Sequence, residues 1–201
     1  MNNIYYIITQ LADLLISFDI SISQFMEDLT RNVMPSLADI GFVITNIGDT
    51  KVIAIVSVLI GVVFIARKQW AQAIIMILPV GIAGILVHFL KDLFMRVRPE
   101  NALQILNDYS FPSGHATMAA VFFAVIIYLF APKIHSWIKR ELFIVVCVLG
   151  ALLIGLSRIV LNVHWASDII AGWSLGVFCA TAGILLVRYV SVLIINRNVE
   201  K

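Results

Sequence analysis

Charge is what this sequence has least of: Asp, Glu, Lys and Arg together make up 13% of its 201 residues, against about 25% in soluble domains. That shortage excludes a water-soluble globule and a disordered chain, and eleven glycines with five prolines exclude a collagen-like fibre. The basic excess is only +2, too small to recruit a nucleic acid. Cysteine is scarce as well. Cys147 and Cys179 lie in separate apolar stretches without C-x-x-C spacing, which argues against a disulfide framework or a thiolate metal site and for simple packing. The first basic residue is Arg31, so the N-terminus lacks the charged start of a cleaved secretory signal, and no processing is expected. What the chain has in abundance is apolar residues, 61% of the total, with a mean hydropathy of +1.01. It belongs in a bilayer.

A spanning helix needs roughly 17–25 apolar residues. Five segments approach that length: Val52–Ala66, Trp70–Leu90, His115–Ala131, Leu142–Leu156 and Ile169–Val187. The two shorter ones are bounded by Lys or Arg, whose stems can snorkel to the interface. Ile4–Ile22 is apolar in bulk but carries Gln10, Asp13 and Asp19. An aspartate near mid-bilayer costs at least ~2.5–3.5 kcal/mol, so this segment either spans with its acids facing protein or water, or lies in the interface as an amphipathic helix. The fold expected is an all-α bundle of five to six transmembrane helices. Residues 23–50, with Pro35, Gly41 and Gly48, read as a polar connection containing a half-apolar stretch at Leu37–Ile47. No internal period of roughly 20–50 residues and no linker divides the chain, so residues 1–201 are expected to form one membrane domain.

Positions of Lys and Arg set the expected orientation. One group of loops holds Arg67, Lys68, Lys133, Lys139, Arg140, Arg188, Arg197 and Lys201. The opposite group holds Arg31, Lys51, Lys91, Arg96, Arg98 and Arg158, of which Lys91, Arg98 and Arg158 have chemical reasons to be there. The first group is therefore expected to face the cytoplasm, and the loops Lys91–Phe111 and Ser157–Asp168 the exterior.

Those outward loops hold most of the unusual polar residues: Lys91 to Pro99, Pro112-Ser113-Gly114-His115, and Ser157-Arg158 followed by His164 and Asp168. Singly each has a plain explanation. Lys91, Arg96 and Arg98 resemble interface anchors, Ser113 a helix cap, and His164 with Asp168 a satisfied polar pair. Their types, however, are complementary. Lys91, Arg98 and Arg158 place three cations beside a helix N-terminus whose free N–H groups at Ser113, Gly114 and His115 also attract anions, which makes a phosphate cradle. Phosphoryl transfer spreads charge over three equatorial oxygens, and its catalysis is mostly positioning and electrostatics. Asp168 would fix the tautomer that leaves His164 free to attack phosphorus, giving a phosphohistidine. His115 then protonates the leaving oxygen and later activates water. The competing use of His115, His164 and Asp168 as metal ligands is disfavoured, because three cations aimed at one place repel a divalent ion. No metal or cofactor is expected.

Lys-x6-Arg-Pro, Pro-Ser-Gly-His and Ser-Arg-x5-His-x3-Asp resemble the three-part signature of the type 2 phosphatidic acid phosphatase (PAP2) superfamily, complete here from Lys91 to Asp168. The resemblance implies a bundle of usually six helices and metal-independent hydrolysis of lipid phosphates or diphosphates. It also implies phosphate binding by Lys91, Arg98, Ser113, Gly114 and Arg158, and a phosphohistidine on His164. Undecaprenyl diphosphate, phosphatidylglycerol phosphate, phosphatidate and lipid A phosphates are all admissible substrates, the first modestly favoured by analogy alone. Two alternatives stand beside hydrolysis: transfer of the phosphoryl group to a second lipid, and non-catalytic transport of an anionic lipid. Asp92 and Arg96, outside the signature, are expected to form local ion pairs. Asn101–Ser110 is the loop best placed to touch a headgroup, Gly172 and Gly176 are spaced for close helix packing, and His88 and His135 are expected to have no role.

Overall fold

The computed structural model describes the backbone of residues 2–199 and the side chains of residues 5–193. All its regular structure is helical: α1 (Asn2–Asp28), α2 (Ser36–Ile47), α3 (Thr50–Ala66), α4 (Trp70–Phe94), α5 (Gly114–Phe130), α6 (Trp137–Val160) and α7 (Ala166–Val199). A π-helical turn, Leu29–Val33, follows α1, and a single 3-10 turn, Ala131–Lys133, follows α5. Among the described residues, six stretches are long and apolar enough to cross a membrane, α2 and α3 together forming one of them, Ser36–Ala66. Leu, Ile, Val and Phe remain widely exposed on α1, α3, α4, α6 and α7. A soluble surface would not tolerate so continuous an apolar coat, and a lipid-facing one requires it.

The first segment is a helix that spans by length and composition, and its two acids behave differently. Asp13 is exposed, whereas Asp19 is only 2% exposed and turns toward α7. Of the two readings left open, the length and composition of the helix and the burial of Asp19 against protein favour spanning. Lower on the same helix, Ile22 and Met26 pack against Ile159, Ala166 and Ile169.

Residues 23–50 are not the polar connection expected from sequence. Of the residues that suggested a loop, Gly41 lies buried inside α2 and Gly48 at its C-cap, while the polar residues Asp28, Arg31 and Asn32 lie on helical turns, where Arg31 pairs with Glu27 at 3.3 Å and Asn32 donates to Asp28 at 2.9 Å. Such i,i+4 pairs satisfy polar side chains without breaking a helix. Pro35 stands at the N-cap of α2, where its φ of −58° costs nothing. Asp49 caps α3 by accepting from the Lys51 N–H at 2.8 Å.

α5 is the central helix, packed on by α3, α4, α6 and α7. Val121 and Val125 are fully buried on it, together with Met76 of α4 and Ala180 of α7. The α5–α7 contact is the closest. A Cβ on Gly172 would meet the Ser113 carbonyl oxygen at 2.8 Å, and one on Gly176 the Thr117 carbonyl oxygen at 2.4 Å. Small residues let backbones approach where a bilayer supplies no hydrophobic drive between helices, and here the approach sets the distance between the helices that begin at Gly114 and Ala166. Gly176→Ala should therefore push α7 away from α5 and cost roughly 1–3 kcal/mol, the usual range for overpacking. A lower melting temperature of the detergent-solubilised variant would check it.

Candidate active site

Four helix ends meet at one end of the bundle. α4 arrives with Lys91 in its last turn and α6 with Arg158 in its last turn, while α5 starts at Gly114 and α7 carries Asp168 in its first turn. Cations at helix C-termini and an acid at an N-terminus are each favoured by the helix dipole. Two residues with left-handed backbone stop the incoming helices, Met95 at φ 46° and Asn162 at φ 53°. That conformation ends a helix sharply and is unfavourable for a side chain like that of Met95. The chain leaves α4 there and returns to α5 through residues 95–113, which carry Arg96, Arg98 and Asp108.

Lys91, Arg98, Gly114, His115, Arg158 and His164 line one cavity of about 320 Å³. Arg158 is 3% exposed; its Nη1 donates to Thr45 Oγ1 at 2.6 Å, and its Nε has no partner among the described residues. A buried guanidinium with an unused donor is costly unless an anion completes it. Arg98 donates through Nη1 toward His164 Nε2 at 3.1 Å. A guanidinium only donates, so Nε2 carries the lone pair and the ring proton belongs on Nδ1, which faces Asp168 Oδ2 at 3.4 Å. Burial, followed by the charges of Arg98, Arg158 and Lys91, holds the His164 pKa well below the ordinary imidazole value. His164 is thus neutral, with the Nε2 lone pair turned toward Arg98 and the cavity.

The structure brings together the residues expected from sequence, with corrections. His164 lies in the turn before α7, not on a helix with Asp168; their contact is made across the helix start. The Ser113 N–H is not free for an anion, because it donates to the Asp168 backbone carbonyl at 3.1 Å. The Ser113 hydroxyl caps α5 through the Ala116 N–H at 3.4 Å, so Ser113 faces the helix and Gly114 and His115 face the cavity. His88, expected to have no role, lines the cavity.

Five residues now at the site were not placed there by sequence reasoning. Thr45 and Asp49 fall in the stretch read as a connection, and Asp49 Oδ2 stands 3.8 Å from His115 Nε2. Arg96 forms long-range ion pairs with Asp19 and Asp168 instead of local ones. Asp108 is held by Lys91 Nζ at 2.8 Å and Arg98 Nη2 at 2.7 Å. Asp19 alone carried a usable signal, an acid within an apolar span. Asp108 sat in an ordinary polar loop.

The Asp108 carboxylate answers two of the three cradle cations. Burial works against its ionisation, but the hydrogen bond and charge of Lys91, then those of Arg98, outweigh it and bring its pKa down to about 2. It is ionised throughout the mildly acidic and neutral range and occupies Lys91 and Arg98, so an incoming anion would have to compete with it for them. Asp108→Asn should tighten inhibition by inorganic phosphate or vanadate, equally across that pH range. Weaker or unchanged inhibition would show that Asp108 holds the cations in place without competing for them.

The chain is similar to known proteins in the same terms. Residues 72–191 match the family model of the PAP2 superfamily. Phosphatidylglycerophosphatase B of Bacillus subtilis is 36% identical over 146 residues, 71% of either chain. An undecaprenyl-diphosphatase of Sulfolobus acidocaldarius is 32% identical over 119 residues, 56% of this chain and 53% of the relative. The crystal structure of a transmembrane PAP2 type phosphatidylglycerolphosphate phosphatase from Bacillus subtilis superposes with a TM-score of 0.75 at 30% identity, over 94% of this chain and 92% of that one. In sequence, in helical layout and in the convergence of its signature residues on one cavity, this chain belongs to the PAP2 superfamily.

Proposed function

We propose that this membrane-embedded PAP2 phosphatase removes phosphate from a lipid phosphate or diphosphate through a phosphohistidine on His164. The observation that carries the reading is the cavity itself: its described lining holds the cations Lys51, Lys91, Arg98 and Arg158, the last with an unused buried donor, the histidines His88, His115 and His164, and one carboxylate, Asp108, already paired with Lys91 and Arg98. Lys91, Arg98, Arg158 and the N–H groups opening α5 at Gly114 bind the phosphate oxygens; Ser113 supports them by capping that helix. Guanidinium forks suit charge spread over equatorial oxygens.

The His164 Nε2 lone pair forms the bond to phosphorus as the bond to the leaving oxygen breaks. That oxygen takes the electron pair and a proton from His115, beside which Asp49 provides a local anion. The Nδ1 proton stays in place, so the phosphorylated ring is cationic, and Asp168 stabilises it. Water then attacks phosphorus, gives its proton to His115, and the bond to Nε2 breaks with its electrons returning to the ring.

Phosphatidylglycerol phosphate becomes the first substrate to test, on the similarity to the Bacillus subtilis phosphatase; undecaprenyl diphosphate, phosphatidate and lipid A phosphates follow. Residues 1–201 act as one membrane domain. The site faces the exterior, because Arg67, Lys68, Lys133 and Arg140 gather at the opposite end of the helices.

Phosphate release from these four lipids in detergent with EDTA present is the direct experiment, wild type beside His164→Ala. Wild type should release phosphate from at least one lipid, and the variant should lose the activity by several orders of magnitude, roughly 10³-fold or more. Vanadate, which adopts the trigonal-bipyramidal geometry of the transition state, should inhibit. Loss of activity in EDTA restored by Mg²⁺ would overturn the metal-free reading. Label passing to an acceptor lipid in place of free phosphate would identify a phosphotransferase.

A further inference from the structure

Asp19, Arg96 and Ser167 are buried or half-buried polar residues beside the cavity that none of the steps above uses. Arg96 lies between two carboxylates. Its Nη1 donates to Asp168 Oδ1 at 2.6 Å and its Nη2 to Asp19 Oδ2 at 2.7 Å. Asp19 also accepts from the Ser167 N–H at 2.9 Å and the Ser167 hydroxyl at 2.6 Å, while Arg96 Nη1 donates to that hydroxyl at 2.7 Å. The guanidinium is 5.5 Å from the centroid of the Trp165 ring, and the Trp165 indole N–H donates to the Val97 carbonyl at 2.8 Å. The other oxygen of Asp168 takes the Trp165 backbone N–H at 3.0 Å and faces His164 Nδ1. A continuous chain of contacts therefore runs from α1 to the histidine: Asp19, Arg96, Asp168, His164.

We propose that Asp19 and Arg96 are positioning residues for the transfer step, with Arg96 aiming the Asp168 carboxylate at His164 and Asp19 keeping that carboxylate's negative charge available to the ring. The proposal rests on the phosphohistidine reading. Its charge logic is simple. Arg96 with Asp168 alone is a neutral pair, which stabilises a cationic ring weakly. Adding Asp19 restores a net charge of −1 to the buried group, and that charge faces the ring that becomes positive when Nε2 bonds to phosphorus. The geometry acts in the same direction, since a two-armed guanidinium held at both ends fixes the carboxylate more tightly than one bond would. α1, the helix farthest from the signature in sequence, thereby becomes part of the catalytic apparatus without touching substrate.

The test is steady-state phosphate release by Asp19→Asn, Arg96→Gln, Arg96→Lys and the Asp19→Asn/Arg96→Gln double variant. Turnover is expressed per vanadate-binding site, so that misfolded protein is not counted. Each of the first two should lose roughly 10–100-fold in kcat, the scale of a misplaced catalytic group, with KM held within about twofold. The double variant should be within about twofold of the poorer single one, because both act through Asp168. Arg96→Lys, which keeps the charge and loses the fork, should recover part of the Arg96→Gln loss and remains informative if a neutral variant does not fold. Wild-type turnover per site in the variants, losses confined to KM, or losses that multiply in the double variant would overturn the proposal while leaving the phosphatase reading intact. A wild type that releases no phosphate from any lipid would overturn that reading, and the inference with it.

Discussion

Charge placed beside hydrocarbon has to be neutralised within a few ångströms, and the site end of this protein is organised around that requirement. Lys91, Arg98 and Arg158 converge on a neutral His164, and their mutual repulsion is met by Asp108, by Thr45 and by carbonyl oxygens such as that of Tyr109. What those partners leave unmet is the Nε donor of Arg158. Such an arrangement is completed by an anion with several oxygens, which is the chemical description of a phosphate.

The helices supply half of this electrostatics through their direction alone. α4 and α6 enter with their C-termini and bring cations; α5 and α7 leave with their N-termini and bring Gly114, His115 and Asp168. An antiparallel bundle makes both kinds of terminus available at one membrane face. The close α5–α7 contact at Gly172 and Gly176 then fixes how far the two starting helices stand apart, and the Ser113 N–H bonded to the Asp168 carbonyl ties their first turns together. Packing in the middle of the bilayer and catalysis at its edge are therefore one mechanical system.

Negative charge is arranged as deliberately as positive. Asp108 lies in the cradle, its side chain 57% exposed. Asp168 and Asp19 lie behind the histidine, buried, with Arg96 between them. In the proposed mechanism, separating a half-exposed anion from buried ones would let the site favour both an incoming phosphate and a transient imidazolium within one low-dielectric pocket.

The linear sequence determined the membrane class, the main apolar spans and the signature that names the chemistry, because each depends on composition or on residues close together in the chain. Lys91, Arg98, His115, Arg158, His164 and Asp168 were legible as one set since their types are complementary and their stretches fall at the same end of the apolar spans, the first two joined by a loop and the third two crossings further on. It could not assign Ser113 to the helix in place of the cavity, since a cap and an anion site use the same N–H groups. Nor did it separate a helical 23–50 region from a loop, where polar side chains satisfied at i,i+4 look like solvent-facing ones. Only the tertiary structure decided that Asp19 is buried while Asp13 is exposed, that Arg96 reaches 77 residues back along the chain to pair with it, and that Asp49 and Thr45 stand at the site. Those contacts join segments far apart in sequence, and a contact of that kind is fixed by how helices pack, which no local pattern encodes.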